Sequence, residues 1–390
     1  MDLVIHDLRP EQWEKISSRY ADCNVVTDNG SMRPCIGCFG CWNRDPGRCV
    51  VKDGYDNMGY LIHHAGEVTV ISRYTYGGFS GSVKNVFDRC LPYVLPQFEI
   101  VGGETHHKKR YDEDKPFTFI FYGHALTEEE KGSARRYARA VCTNIRGWVK
   151  DVRFEECPEE SALTEQHAQD AAGRIEDPDL AGKVVLLNGS MRSENGNSAK
   201  LARMLKSQLR ADSVIVDLRK YLNDMTGLIR ALEDAAAIVL CVPLYVDGLP
   251  SQVIRLMERC EREYKGGPKR IYLLTNMGLY ESGQLVNLFS AVRQWCGKMG
   301  FMYCGGLGVS AGELLGALME VLPFRSGPTR DTAIGMERLA EAVNGKTGLG
   351  DVFAEPYRFP RSLYVFIANT NWNRTAKKNG ISPKDLYRRL

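Results

Sequence analysis

The chain has 390 residues, 44% of them apolar, which exceeds one ordinary core and argues for two folded domains rather than disorder. Its 51 basic and 48 acidic residues leave a net charge of +3, so there is no electrostatic footprint for nucleic acid. The charged opening Met1-Asp2-Leu3-Val4-Ile5-His6-Asp7 is no signal peptide, and the apolar run around Ala235 to Val246 is too short to span a bilayer. The expectation is a soluble cytoplasmic protein with no nucleic-acid and no membrane partner.

In chain order, strands are expected at Leu3 to His6, Asn24 to Thr27, Val68 to Ser72, Phe117 to Tyr122 and Val152 to Glu155. Helices are expected between them, at Glu11 to Arg19, Asn57 to His64, Val83 to Pro92 and Glu128 to Val149. Glu104 to Lys115, with His106 and His107, is charged and is read as a solvated loop. The polar stretch 158–181 is a linker carrying one helix, and the pattern then restarts. Strands Lys183 to Leu187, Ser213 to Asp217, Ala237 to Val242, Arg270 to Thr275 and Met302 to Gly306 alternate with helices at Ser198 to Leu209, Gly227 to Ala235, Gln252 to Glu263 and Leu285 to Lys298. Strands alternating with helices give parallel βαβ units, hence two doubly wound sheets, over 1–157 and 182–312. Beyond Gly312, helical patterns near Glu313 to Val321 and Arg330 to Val343 and a basic, aromatic tail make 313–390 a helical extension. The halves read as a tandem duplication: Val68–Cys90 lies without a gap on Ile238–Cys260, with Gly78 on Gly248, Arg89 on Arg259 and Cys90 on Cys260.

The turn Gly189-Ser190-Met191-Arg192-Ser193-Glu194-Asn195-Gly196-Asn197-Ser198 joins the first strand of the second half to its helix. A helix N-terminus offers unpaired N–H groups and a positive dipole end, which suits a phosphate. Ser190, Asn197 and Ser198 add short donors and Arg192 a positive charge; an ordinary helix capped by Asn197 or Ser198 explains the spacing equally well. No G-x-G-x-x-G fingerprint or P-loop is present. The turn resembles the Gly-Ser-x-Arg…Gly-Asn-Ser/Thr signature of the NAD(P)H-dependent FMN reductases. Pro243-Leu244-Tyr245-Val246-Asp247-Gly248 is similar to that family's second flavin loop, and Thr275-Asn276-Met277-Gly278 falls where its third would be. The resemblance, over about 183 to 306, implies a flavodoxin-like fold and FMN held by Ser190, Arg192, Asn197, Ser198, Pro243, Leu244, Tyr245, Val246, Gly248, Thr275, Asn276, Met277 and Gly278. It implies NAD(P)H as co-substrate, a small-molecule or protein electron donor and acceptor, and a homo-oligomer; it names no catalytic acid or base. A non-catalytic flavin-binding electron carrier is the alternative from another class.

The twelve cysteines are no secreted disulfide framework in a chain of this kind. Cys90, Cys142, Cys241, Cys260 and Cys296 sit in apolar stretches and are expected as buried small hydrophobes. Cys35, Cys38, Cys41 and Cys49 are clustered, with Gly37 and Gly40 between the first three. This spacing follows ferredoxin-like logic; dithiol chemistry or plain thiols remain open, and zinc fits less well. The loop, with Val50-Val51-Lys52-Asp53, resembles the cysteine motif of iron–sulfur flavoproteins, which implies a [4Fe–4S] cluster on these four residues as an electron relay, with a plain flavin reductase if no cluster is held. The first half departs from the flavin pattern: Asp7-Leu8-Arg9-Pro10 replaces the phosphate loop, and Arg73 and Thr75 stand in place of the second loop's Pro and Tyr. Trp42 is expected to fill the core, and His63, His64 and His124 are assigned no role.

Overall fold

A computed structural model of the chain describes residues 1–157, 179–192, 194–319, 321–323 and 325–390. The helix expected inside the 158–181 linker lies outside the described residues. The chain divides into two compact units, Met1–Gln169 with Val365–Leu390, and Asp170–Tyr364.

The first unit contains β1 (Asp2–His6), α1 (Pro10–Glu14), β2 (Cys23–Val26), α2 (Gly40–Asn43), α3 (Met58–His64), β3 (Val68–Arg73), α4 (Gly81–Asp88), β4 (Val94–Val101), β5 (Glu104–Lys109), β6 (Pro116–Gly123), α5 (Glu128–Asn144) and β7 (Trp148–Glu156). Five parallel strands form a sheet in the order β2-β1-β3-β6-β7, the flavodoxin-like order. Residues such as Leu3, Ile5, Val68, Phe117 and Phe119 are fully buried because helices cover both faces of a parallel sheet. α5 starts at a capping box, Thr127 accepting from Glu130 N–H while the Glu130 side chain accepts from Thr127 N–H. It stops at Asn144, short of the expected Val149, because Arg146 turns left-handed (φ 59) and Trp148 joins β7.

The segment expected as a solvated loop instead forms an antiparallel hairpin, β4–β5. Gly102 and Gly103 (φ 59 and 91) make its turn, a geometry that costs other residues a steric penalty. His106 and His107 are therefore not solvated. His106 is buried and bonded to Asn144, and His107 packs against Trp42 and Phe98 with its pKa pushed down to about 4 by burial.

The second unit runs β8 (Val184–Asn188), α6 (Asn197–Lys206), β9 (Ser213–Asp217), α7 (Met225–Glu233), β10 (Ala237–Pro243), α8 (Ser251–Glu263), β11 (Arg270–Asn276), α9 (Val286–Met299), β12 (Met302–Val309), α10 (Gly312–Leu318), α11 (Arg330–Gly345) and β13 (Gly350–Ala354); α12 follows at Arg361–Lys378. Its sheet is β13-β12-β11-β10-β8-β9, all parallel: the same order with one further edge strand. The stretch beyond Gly312, expected as helices alone, thus supplies a strand as well. Its core packs Leu186, Leu201, Leu205, Tyr272, Leu307, Leu339 and Val343 between the sheet and helices α6 and α11. Cys90, Cys142, Cys241, Cys260 and Cys296 are all buried thiols, as expected. No helix among the described residues is long and apolar enough to cross a membrane.

Candidate flavin site and cysteine loop

In a doubly wound sheet, ligands bind at the carboxyl ends of the strands where the strand order reverses, here beside β8 and β10. Gly189 leaves β8 with its N–H donating to Cys241 O at 3.0 Å. A Cβ on Gly189 would lie 2.5 Å from Val253 Cγ2 and 2.9 Å from Val242 Cγ1, so packing as well as turning requires glycine here. Asn188, buried behind it, donates to Asp217 Oδ1 (2.6 Å) and accepts from Ser190 N–H (3.2 Å). Ser190 Oγ accepts from Arg192 N–H, which winds the turn back on itself.

The N-cap of α6 is Gly196, in extended conformation, which has no side chain to cap the helix. Asn197 and Ser198 are therefore not N-caps. They lie inside the helix, and its first turn presents N–H groups that the N-cap residue does not satisfy through a side chain. Such a turn attracts an anion, and the buried Ser190 and half-buried Asn197 lie beside it. Arg192 pairs with Glu313 at 3.0 Å, both largely exposed, a contact that a phosphate can displace at little cost.

The three expected loops come together. Asn276 Nδ2 donates to Ser198 Oγ at 2.7 Å, joining the third loop to the first, and Leu244 N–H donates to Asn276 O at 2.8 Å, joining the second to the third. Tyr245 and Gly248 exchange backbone hydrogen bonds around Val246 and Asp247, both left-handed (φ 39 and 60), which gives a tight turn with Pro243 at its entry. Thr275 is fully buried with its hydroxyl unpartnered among the described residues, and Met277 is buried. Open space lies beside Gly278. The residues thus fit FMN: a helix turn with a glycine N-cap for the phosphate, and two backbone-lined loops for a ring.

The sequence reading missed the groups that hold these loops. Glu355 accepts from Ser282 N–H and Oγ, Arg361 pairs with Glu281, and Tyr364 donates to Gly278 O. α10 passes so close to α6 that a side chain on Gly316 would meet Asn197 Oδ1. These partners lie far along the chain and carry no motif; only Asn188, next to Gly189, stood within reach of the loop signature.

The first unit repeats part of this geometry. Thr75 and Gly78 exchange the same pair of backbone hydrogen bonds as Tyr245 and Gly248, and Asp7 N–H donates to Ile71 O as Gly189 does to Cys241 O. In Gly189's place stands the Asp7 side chain, buried and accepting from Arg73 N–H (3.1 Å to each oxygen) and Tyr122 Oη (2.9 Å). Burial raises its pKa above the usual carboxylate value, and the hydrogen bonds oppose that shift. This carboxyl group fills the strand end and offers a phosphate no donors. His124 is exposed and bonded to Glu156, away from this network.

In the cysteine loop, Gly37 and Phe39 are left-handed (φ 63 and 55), so the chain doubles back twice. Gly37 N–H donates to the Cys35 sulfur, and Gly40 N–H to Cys38 Sγ at 3.3 Å. Cys35 and Cys41 each lie within electrostatic reach of Cys38, Cys49 and one another. Burial pushes the Cys35 thiol up to about 12 and raises the Cys41 thiol well above its ordinary value. The Arg89 guanidinium, wholly buried, interacts with Cys49 and holds Asp53 with two hydrogen bonds. Phe39 stacks on Trp42 and Trp372 meets both edge-on, and Trp42, as expected, fills core space with its Nε1–H donating to Val94 O. Among the described residues, no three His, Cys, Asp or Glu side chains are set to hold a metal ion.

Residues 182–322 match the family model described as NADPH-dependent FMN reductase. The second unit therefore carries the domain of a flavin-dependent oxidoreductase. Among solved structures, the chain is similar to the Trp repressor binding protein from Bacillus subtilis, at 17% identity over 33% of this chain and 84% of that one, with a TM-score of 0.28. It is also similar to the azoreductase from Bacillus anthracis str. Sterne, at 14% identity over 42% and 99%, with a TM-score of 0.31. At these values neither likeness says more about this chain. No curated protein matches it.

Proposed function

We propose that the protein binds one FMN per chain, in its second unit, and moves electrons from NAD(P)H or a protein donor to an acceptor through it. The observation that carries this reading is the joining of three sequence-distant loops at one sheet edge by Asn276, beside a helix turn whose N-cap is a glycine. The first turn of α6, with Ser190, Ser198 and Arg192, would hold the phosphate; Leu244 to Val246 and Thr275 to Gly278 would border the ring. The flavin supplies the electron-accepting chemistry when bound, so the protein's part is to bind, orient and exclude water. The first unit binds no flavin, because Asp7 occupies the strand end. The matching hydrogen bonds around Thr75 and Tyr245 support a tandem duplication whose first copy has lost that ligand.

We further propose that Cys35, Cys38, Cys41 and Cys49 hold a [4Fe–4S] cluster. The support is local: four thiols on one short loop, coupled electrostatically through Cys35 and Cys41, two of them receiving backbone N–H groups and one beside the buried Arg89. A single zinc ion with ~2.3 Å bonds needs its sulfurs about 3.8 Å apart. A cube of four irons and four sulfides spreads its thiolates wider, which is compatible with the lack of a single-ion site. A spectrum of anaerobically purified protein, with flavin and iron quantified, tests both readings. One FMN and about four irons per chain is the expected result, with iron but not flavin lost in Cys38→Ser. Protein without flavin overturns the first reading, and FMN without iron overturns the second.

A further inference from the structure

The β4–β5 hairpin and the C-terminal residues of the first unit line an open cavity of about 500 Å³ that contains none of the flavin-loop or cysteine residues. Its walls carry Lys108, Lys109, Arg110, Arg146 and Arg389, with Glu99 the one carboxylate among the lining residues. Five cations gathered on one concavity repel one another, and an anion relieves that repulsion. The cations are held at different strengths. Arg110 is buried and fixed by the carbonyls of Pro92, Val94, Leu386 and Arg388, so it is a permanent wall charge, its pKa lowered to about 10 by burial. Arg389 pairs with Asp112 and Lys109 with Asp114, each pair with a solvent-exposed partner and so weak and exchangeable, while Arg146 pairs with the half-buried Glu99.

Arg146 is the most telling of them. It occupies the left-handed position that ends α5, where glycine is the unstrained choice, and its Nε is buried without a partner among the described residues. A residue that keeps a long cation at a strained position, with a buried donor left over, points to a ligand. The volume falls in the range of small-molecule sites and is much larger than one phosphate requires. Leu95 is buried and Tyr387 half-exposed on the same wall, which gives an apolar and aromatic surface beside the charges.

We propose that this cavity binds a small phosphate-bearing anion of nucleotide size: the phosphates lie against Arg146, Lys108 and Arg389, and the ring against Tyr387. No covalent step is involved. The test is calorimetric titration of the full-length protein, at physiological salt, with pyrophosphate, ADP and adenosine. The comparison is with Arg146→Gly, which removes the cation and suits the left-handed backbone, and with Lys108→Gln as a second variant that leaves the helix end untouched. Expected are binding of ADP and pyrophosphate but not adenosine, and at least a tenfold loss of affinity in each variant, with no loss of thermal stability and with unaltered flavin content. ADP tighter than pyrophosphate supports the place of the ring. Binding that both variants leave unchanged puts the anion elsewhere, in the flavin site for instance, and overturns the proposal, as does the absence of any binding.

Discussion

Gly189 is where the geometry of the flavin site can be pressed hardest. In Gly189→Ala the new methyl would lie 2.5 Å from Val253 Cγ2 and 2.9 Å from Val242 Cγ1, against the 3.5–4.0 Å at which carbons rest. Both neighbours are β-branched and 1% exposed, so neither can rotate away cheaply. Overpacking of this kind costs about 1–3 kcal/mol. For a unit of this size, about 2 kcal/mol corresponds to a fall in Tm of about 4–8 °C. Relief requires β8's end to move, which carries Ser190 and the turn before α6 out of line with Asn276. FMN affinity should then fall at least tenfold. The control is Gly278→Ala, whose methyl meets nothing within 4 Å and should leave Tm unchanged. Thermal unfolding and quenching of flavin fluorescence on binding measure the two effects. Unaltered stability and flavin affinity in Gly189→Ala would refute the packing argument.

Asn276→Ala removes the 2.7 Å bond to Ser198 and leaves that buried hydroxyl unsatisfied, at a cost of about 1–3 kcal/mol. It should weaken FMN binding while leaving the first unit's stability alone; urea unfolding with flavin titration checks both, and unchanged binding would show that the loops are not coupled. The first unit should lose stability in mild acid. His6 and His107 are both lowered by burial to about 4, below their ordinary ~6.5, so the unfolded chain binds more protons between those values. Stability is therefore full above about pH 6.5 and falls as pH drops toward about 4, by at most on the order of 3 kcal/mol for each histidine. Asp7, raised by burial, acts in the opposite sense, so the comparison is between wild type and His107→Gln in denaturant midpoints from pH 7.5 to 5. Identical slopes for the two proteins would rule out the His107 contribution.

The periodicity of apolar residues was enough to place both parallel sheets, because a strand buried on two faces must be apolar throughout and the helix that follows must show its own spacing. The flavin loops were legible for a similar reason, since phosphate binding and tight turning demand glycine and small polar residues at fixed positions after a strand. The β4–β5 hairpin escaped because its second strand, Glu104–Lys109, is polar, although Gly102-Gly103 marked its turn. Strand β13 escaped because an edge strand needs little apolar sequence. The sequence showed Asp7-Leu8-Arg9-Pro10 in place of the phosphate loop, but only the fold showed that the Asp7 carboxyl group fills the strand end through Arg73 and Tyr122. Neither the anchoring of the third loop by Glu355, Arg361 and Tyr364 nor the gathering of Lys108, Arg146 and Arg389 around one cavity has a local signature. Such groups are brought together across long stretches of chain, and sequence spacing records only what neighbours along the backbone must do.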